Sequence, residues 1–376
     1  MIDAVELAQA LIRCPSVTPA DAGAQDVLAA ALARIGFTVH RLTFGEAPDG
    51  PVHNLFATIG DGHPHFAFAG HTDVVPVGDA AAWTVDPFAG TVDGGRLMGR
   101  GAADMKGSIA AFVVAAERAA ARGVHGRLSL IITGDEEGPA TFGTAPLLAW
   151  MEAHGHVPDL CLVGEPTSAR VLGDTIKIGR RGSMNVWVTV NGAQGHVAYP
   201  ARADNPVTRL VRILGALKAR VLDDGSDWFE PSNLEVTDIA VGNPATNVIP
   251  AQARARANIR FNDHHRGSDL EAWLRGVVAA EAPSADVTVR ISGEAFLTPP
   301  GALSTLVADA VHAVTGVTPA LSTTGGTSDA RFIRRLCPVV EFGLVGLSMH
   351  KVDEGVAVAD VRALVEIYDC VLRRVF

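Results

Sequence analysis

No stretch of this 376-residue sequence reaches about 18 uncharged apolar residues in a row, so no membrane-spanning helix is expected. Positive charge is also in short supply. Lys and Arg total 31 against 41 Asp and Glu, a net charge of -10. That balance argues against nucleic acid or an anionic membrane as partner, because both need a cationic excess. It leaves room for a small anionic substrate held by a few local arginines. Cysteine is scarce: Cys14, Cys161, Cys337 and Cys370 lie far apart with no CxxC pair, and read as small buried thiols in a reducing compartment. The N-terminus MIDAVELAQALIRC has early acids, no basic segment and no small-residue cleavage site. It does not read as a signal peptide, and the cytoplasm is the expected location. GDG at 60–62 and GDEEG at 134–138 fit neither GxGxxG nor a Walker pattern, so no familiar nucleotide loop is present.

What is there is long enough for two hydrophobic cores. Hydrophobic content of 48% with 19% charged residues suits a globular protein. Residues 1–180 alternate helical and strand patterns: helices over 3–13 and 24–35, a buried strand in 65–75, and an Ala-rich helix over 105–123. A strand over 127–133, a helix over 143–154 and a strand over 159–166 follow. Strands separated by helices predict βαβ units and a mostly parallel sheet, with ligands beyond the carboxyl ends of its strands. From residue 181 to 294 the pattern changes to β-α-β-β-α-β, the order of a ferredoxin-like α+β module. Its strands are predicted over 183–192, 233–241, 253–261 and 286–292, and its helices over 205–221 and 268–281. Residues 295–376 resume the first pattern, with a helix over 302–315, a strand over 337–343 and a helix over 358–374, and complete the first sheet. The fold class is therefore α/β with an inserted module.

Five stretches place acids or histidines at strand ends. GHTDVVP puts His71 and Asp73 after FAFA. GRGAADMKG puts Asp104 before the long helix. TGDEEG puts Glu136 and Glu137 after LSLII, and VGEPT puts Glu165 after LCLV. GLSMHKVDE puts His350 in the loop after VVEFG. Each stretch alone is commonplace, since strand-end acids often cap helices or stay solvated. Five of them on one edge of a parallel sheet converge on a site. Two imidazoles with several carboxylates suit Zn2+, or else Co2+ or Mn2+. Two divalent ions bring +4 against -3 from Asp104, Glu137 and Glu165, and a pair about 3.5–4 Å apart would offset the repulsion among the acids. His71 and Asp73, two apart on a strand, face one side, so the Asp73 carboxylate is expected to accept the second ring N–H of His71. Glu136 and Glu137 are adjacent, and on an extended backbone they point apart. One can coordinate while the other meets a bridging water as a base.

Together GHTDVVPVGD, GRGAADMKG, TGDEEG, GEPT and MHKVDE resemble the dinuclear-zinc amidohydrolases of the M20 metallopeptidase family, over nearly the whole chain. GRRGS, GHVAYP, NVIP and GGTSDARF narrow the resemblance to a branch acting on a polycarboxylate. The resemblance implies a zinc hydrolase domain with the inserted module serving as lid and dimerisation domain. It implies two Zn2+ per subunit, with Co2+ able to substitute. Asp104 would bridge both ions, His71 and Glu165 would complete one, and Glu137 and His350 the other. Glu136 would be the general base and Asp73 would orient His71. A cis peptide is implied after Asp104. His196 would act in the active site of the partner subunit of a homodimer and stabilise the oxyanion. Arg180, Ser183, Tyr199, Asn247, Arg260, Gly326 and Thr327 would contact a small-molecule substrate, and arginine matches a carboxylate in bidentate geometry. Gly346 stands where some members carry an Asn that contacts substrate. The remaining histidines, His65 among them, read as surface or packing residues.

Overall fold

The runs RLSLIIT, HFAFAGH and LCLV become neighbouring strands because they are mostly apolar and buried along almost their whole length, with both faces covered. The computed structural model describes residues 1–376 and divides them into two units. Unit one comprises Met1–Ile178, Thr298–Ser322 and Ser328–Phe376; unit two comprises Gly179–Leu297 and Thr323–Thr327.

An eight-stranded sheet runs through unit one. Its middle strands, Arg127–Thr133, His65–His71, Leu160–Val163 and Val339–Glu341, are parallel neighbours in that order. Their carboxyl ends therefore share one edge. The sheet is less uniformly parallel than the sequence suggests. Val52–Gly60 and Thr38–Phe44 extend it antiparallel on one side. On the other side Val339–Glu341 meets Thr175–Lys177 antiparallel, and Ala320–Ser322 runs parallel to that strand. The edge strand TVHRLTF is half exposed and mixes polar with apolar positions, so it has no strong period to read.

The Ala-rich helix Gly107–Arg122 packs against Ala4–Ile12 and Val358–Val375, and the latter packs on Ala302–Thr315. Phe68 of the sheet stacks on Phe112 at 4.0 Å between centroids, Tyr368 meets both rings edge-on, and its hydroxyl donates to the Phe342 carbonyl at 2.8 Å. The helix begins two residues later than expected. Ahead of it Ala102–Lys106 makes a wide turn in which Asp104 and Met105 leave helical backbone and their shared peptide is cis. Met105 packs directly over Gly70 and Gly164, where a Cβ would stand 2.6 and 2.8 Å from its terminal methyl. Glycine at those two strand ends lets the Asp104 turn sit on the sheet.

Unit two holds a four-stranded antiparallel sheet in the order Asn233–Ala240, Gln252–Phe261, Gly182–Asn191, Asp286–Gly293. Alternation sends Met184, Val186, Val188 and Val190, with Ala253, Ala255, Ala257 and Ile259, to one face. The helices Pro206–Ala219 and Gly267–Glu281 cover that face through Leu210, Ile213, Leu270 and Leu274. Asn205 caps the first of them by accepting the Val207 N–H at 3.0 Å, with Pro206 in the first turn. This is the ferredoxin-like connectivity. Thr323–Thr327, from the last segment of the chain, clusters with it.

Candidate metal centre

Asp104 is the hub of the strand-end cluster in unit one. Its Oδ1 lies 3.1 Å from His71 Nε2, and its Oδ2 lies 3.3 Å from His350 Nε2. Glu165 Oε1 approaches His71 Nε2 at 3.8 Å, and Glu137 Oε1 meets His350 Nε2 at 2.8 Å. Two groups, His71 with Glu165 and His350 with Glu137, thus share one carboxylate. Ligand atoms of His71, Asp104 and Glu137 all lie within 4.8 Å of one another. His71, Asp104 and Glu165 are buried, whereas the His350 side chain is 46% exposed.

The charges of the cluster favour a cation. Burial alone would lower His71, but its hydrogen bond to Asp104 and the charges of Asp104, Asp73 and Glu165 push it well above its ordinary value. Hydrogen bonds to Asp104 and Glu137 push His350 up to about 10. Burial would raise Asp104, yet the two imidazoles hold it below the usual carboxylate range. The protein's own groups meet the demand for positive charge only by protonating both histidines. Divalent cations would meet it directly and leave the imidazoles as neutral ligands, so nitrogen and oxygen donors of this kind fit such ions.

Asp73 behaves differently from expectation. The strand ends at His71, and His71 Nδ1 lies 2.9 Å from the backbone carbonyl of Asp73 and 3.6 Å from its carboxylate. An N–H donated to that carbonyl leaves Nε2 as the free lone pair facing Asp104. The Asp73 carboxylate instead accepts the N–H of Glu136 at 3.2 Å and of Glu137 at 3.0 Å. It therefore positions the acid pair. Burial raises Asp73 to about 6, against the lowering effect of His71 and of those two N–H groups. Glu136 and Glu137 lie in a turn, not in extended backbone, and still diverge: Glu137 meets His350, while Glu136 Oε1 lies 3.8 Å from Arg331. Burial first, then the charge of Glu165, holds Glu136 well above its ordinary value.

Unit two gathers the other expected residues into two groups. Arg180 donates to the Gly326 carbonyl at 3.0 Å, next to Thr327 whose hydroxyl is buried without a partner. Ser183 faces Arg260 across the sheet, and the charge of Arg181 acts on Arg260. Separately, Gly195–His196 pairs with Val248–Ile249, and Val197 N donates to the Asn247 carbonyl. His196 and Tyr199 stand there with ring centroids 5.6 Å apart. At Gly346, in unit one, a Cβ would stand 2.7 Å from the Pro166 carbonyl, so no side chain fits at this position.

Several residues around the centre take parts that the sequence did not assign to them. Asp135 accepts the N–H groups of Thr141 and Phe142 at 2.8 and 3.0 Å and shapes the loop after the acid pair. Asp329 accepts the Thr144 hydroxyl at 2.5 Å, and Ser328 donates to Glu341 at 2.6 Å. Ser328, Asp329 and Arg331 all lie in GGTSDARF, so the stretch carried more than its glycine and threonine. Glu354, the last residue of MHKVDE, is fully buried against Arg100 at 2.6 Å.

Residues 67–374 match peptidase family M20/M25/M40, and the chain belongs to that family. It is similar to a protein from Rhizorhabdus wittichii named succinyl-diaminopimelate desuccinylase, at 64% identity over 100% of this chain and 98% of the relative. A protein of the same name from Sphingopyxis alaskensis is 60% identical, with 100% and 99% covered. Among solved structures, an M20 family metallo-carboxypeptidase from Sulfolobus solfataricus has a TM-score of 0.81 at 15% identity over 99% of each chain, a likeness of fold.

Proposed function

We propose that the chain hydrolyses the amide of N-succinyl-LL-2,6-diaminopimelate, releasing succinate and LL-2,6-diaminopimelate for lysine and cell-wall precursor synthesis. The observation that carries this reading is the pair of imidazole–carboxylate groups sharing Asp104, with the half-buried Glu136 close enough to feel the charges of Glu165 and His71, in a chain 64% identical end to end to a relative of that name.

In this reading His71, Asp104 and Glu165 hold one divalent cation, and Asp104, Glu137 and His350 hold the other. Zinc is the proposed ion, with cobalt as a substitute. Bound there, such ions supply polarisation of the amide carbonyl and make water acidic near neutral pH. The remaining work falls to the chain. Asp73 sets the positions of Glu136 and Glu137 through their backbone N–H groups. Glu136 takes a proton from the attacking water as the C–O bond forms, then hands it to the amine nitrogen as the C–N bond breaks. Its raised affinity for a proton, set by burial and Glu165, suits that task, and positive charge nearby draws it back toward the ordinary range. His196, acting in the active site of the partner subunit of a cytoplasmic homodimer, donates to the oxyanion. Arg180, Ser183, Tyr199, Asn247, Arg260, Gly326 and Thr327 hold a substrate that carries three carboxylates, the arginines by bidentate pairing.

The test is turnover of N-succinyl-LL-diaminopimelate by chelated protein titrated with zinc. Activity that is absent after chelation and returns with about two ions per chain supports the reading. Zinc binding without this turnover redirects it to N-acetylornithine, other N-acyl amino acids or dipeptides, assayed as a panel. A chain that binds no divalent cation overturns it.

A further inference from the structure

Residues 349–352 form an exposed loop, and two residues on the chain buries a carboxylate completely: Glu354 is 0% exposed. Burying a charge is costly unless it is paired and hydrogen-bonded, and here both carboxylate oxygens accept hydrogen bonds. Glu354 Oε1 accepts the backbone N–H groups of Gly101, Ala103 and Asp104 at 3.1, 2.9 and 3.2 Å. Glu354 Oε2 accepts Arg100 Nη1 at 2.6 Å. Arg100, itself 2% exposed, turns back to the other loop by donating to the Lys351 carbonyl at 3.3 Å, and it also reaches the Pro76 carbonyl at 3.3 Å. The Glu354 carbonyl accepts the Gly99 N–H at 2.9 Å. One ion pair therefore stitches residues 99–104, which present Asp104, to residues 350–354, which present His350.

The second loop has a strained backbone and a few other ties. His350 and Asp353 have φ of +62° and +57°, in the left-handed region that non-glycine residues rarely enter. Beyond Glu354 the loop is tied by Asp353, which accepts the Thr84 N–H and hydroxyl, and by Ser348 with Gly355. Buried ion pairs are seldom better for stability than apolar packing of the same volume. What this one supplies is position. We infer that Glu354, held by Arg100, is a positioning residue that sets the distance between Asp104 and His350. It thereby sets the affinity of the cation position those two share with Glu137. The inference rests on the cation-binding reading given above.

The experiment uses the full chain, chelated and then titrated with zinc against a chromophoric chelator, so that the two binding steps are resolved. Partners just outside a metal's ligands typically govern its affinity 10- to 100-fold. In Glu354→Gln one of the two ions is expected to weaken by that range and the other by less than about three-fold. The value of kcat should fall while KM stays near wild type, and excess zinc should restore kcat. Arg100→Lys keeps a cation beside Glu354 but loses the contacts to the Lys351 and Pro76 carbonyls, so it remains informative if the first variant does not fold. It should show the same selective weakening to a smaller degree. Folded variants that hold both ions at wild-type affinity overturn the inference, and so does equal weakening of both ions. If the wild-type chain binds no cation, the metal-centre reading itself has failed and the inference falls with it.

Discussion

Replacing Asp73 by Asn separates what this residue does for the site from what it does for the fold. Its carboxylate accepts two backbone N–H groups, from Glu136 and Glu137. In Asp73→Asn one oxygen still accepts, while the new amide nitrogen faces the other N–H, and an orphaned buried donor costs about 1–3 kcal/mol. Against that stands the burial of the charge. The carboxyl is raised from 3.8 to about 6, so at pH 7 its ionisation is about 3 kcal/mol less favourable in the folded chain than in the unfolded one. Asparagine carries no such penalty. The two effects nearly cancel, and relief of the charge has a slight edge. The sign with pH follows: a carboxyl whose folded value is raised contributes stability below its unfolded value, and that stability is lost as pH rises from about 4 to about 6. Urea unfolding in chelator should therefore find Asp73→Asn equal to wild type or up to about 2 kcal/mol more stable at pH 7, and less stable than wild type near pH 4. Turnover after zinc is restored should nevertheless drop steeply, because Glu136 and Glu137 have lost their common anchor. A loss of more than about 2 kcal/mol at pH 7, or turnover close to wild type, would refute the reasoning.

Glu136→Gln should keep zinc and lose about 10²- to 10⁴-fold in kcat, the usual share of a general base, and near-normal turnover removes Glu136 from that role. His196→Ala should slow turnover with bound zinc unchanged, measured side by side on the same preparation; an unaltered rate takes His196 out of the chemistry. His65 is buried between the Val157 carbonyl at 3.0 Å and the Ser129 hydroxyl at 2.9 Å, and burial lowers it to about 4. A histidine lowered in this way contributes stability above pH 6.5 that is lost as pH falls toward 4, about 3 kcal/mol in all. Urea midpoints of His65→Gln should depend less on pH over that window, and an unchanged slope would mean another group is responsible.

The positions of His71, Glu137 and Glu165 were legible because each follows a mostly apolar strand run, that of Asp104 because it precedes the long apolar helix, and that of His350 because its loop follows the strand Val339–Glu341. In a parallel sheet such runs end on one edge. The long helices and the ferredoxin-like insert were legible from their periods. The antiparallel strands Thr38–Phe44 and Val52–Gly60 were not, because pairing between two short, half-polar segments depends on the sheet that receives them. Nor was the split of the last segment, in which five residues, Thr323–Thr327, associate with unit two.

The sequence by itself determined which chemistry is present: a set of carboxylates and imidazoles placed by local secondary structure at one edge of a sheet. Local order suffices for that, since a period of two or 3.6 residues and a strand's end are properties of neighbours in the chain. Only the tertiary structure decided how those groups divide the work. Asp73 serves Glu136 and Glu137 more than His71, and Glu354 fastens the Asp104 turn to the His350 loop, through contacts between residues 63 and 250 positions apart. A carboxylate's partners are set by whichever donors the fold brings within about 3 Å of it, and no spacing along the chain encodes that distance.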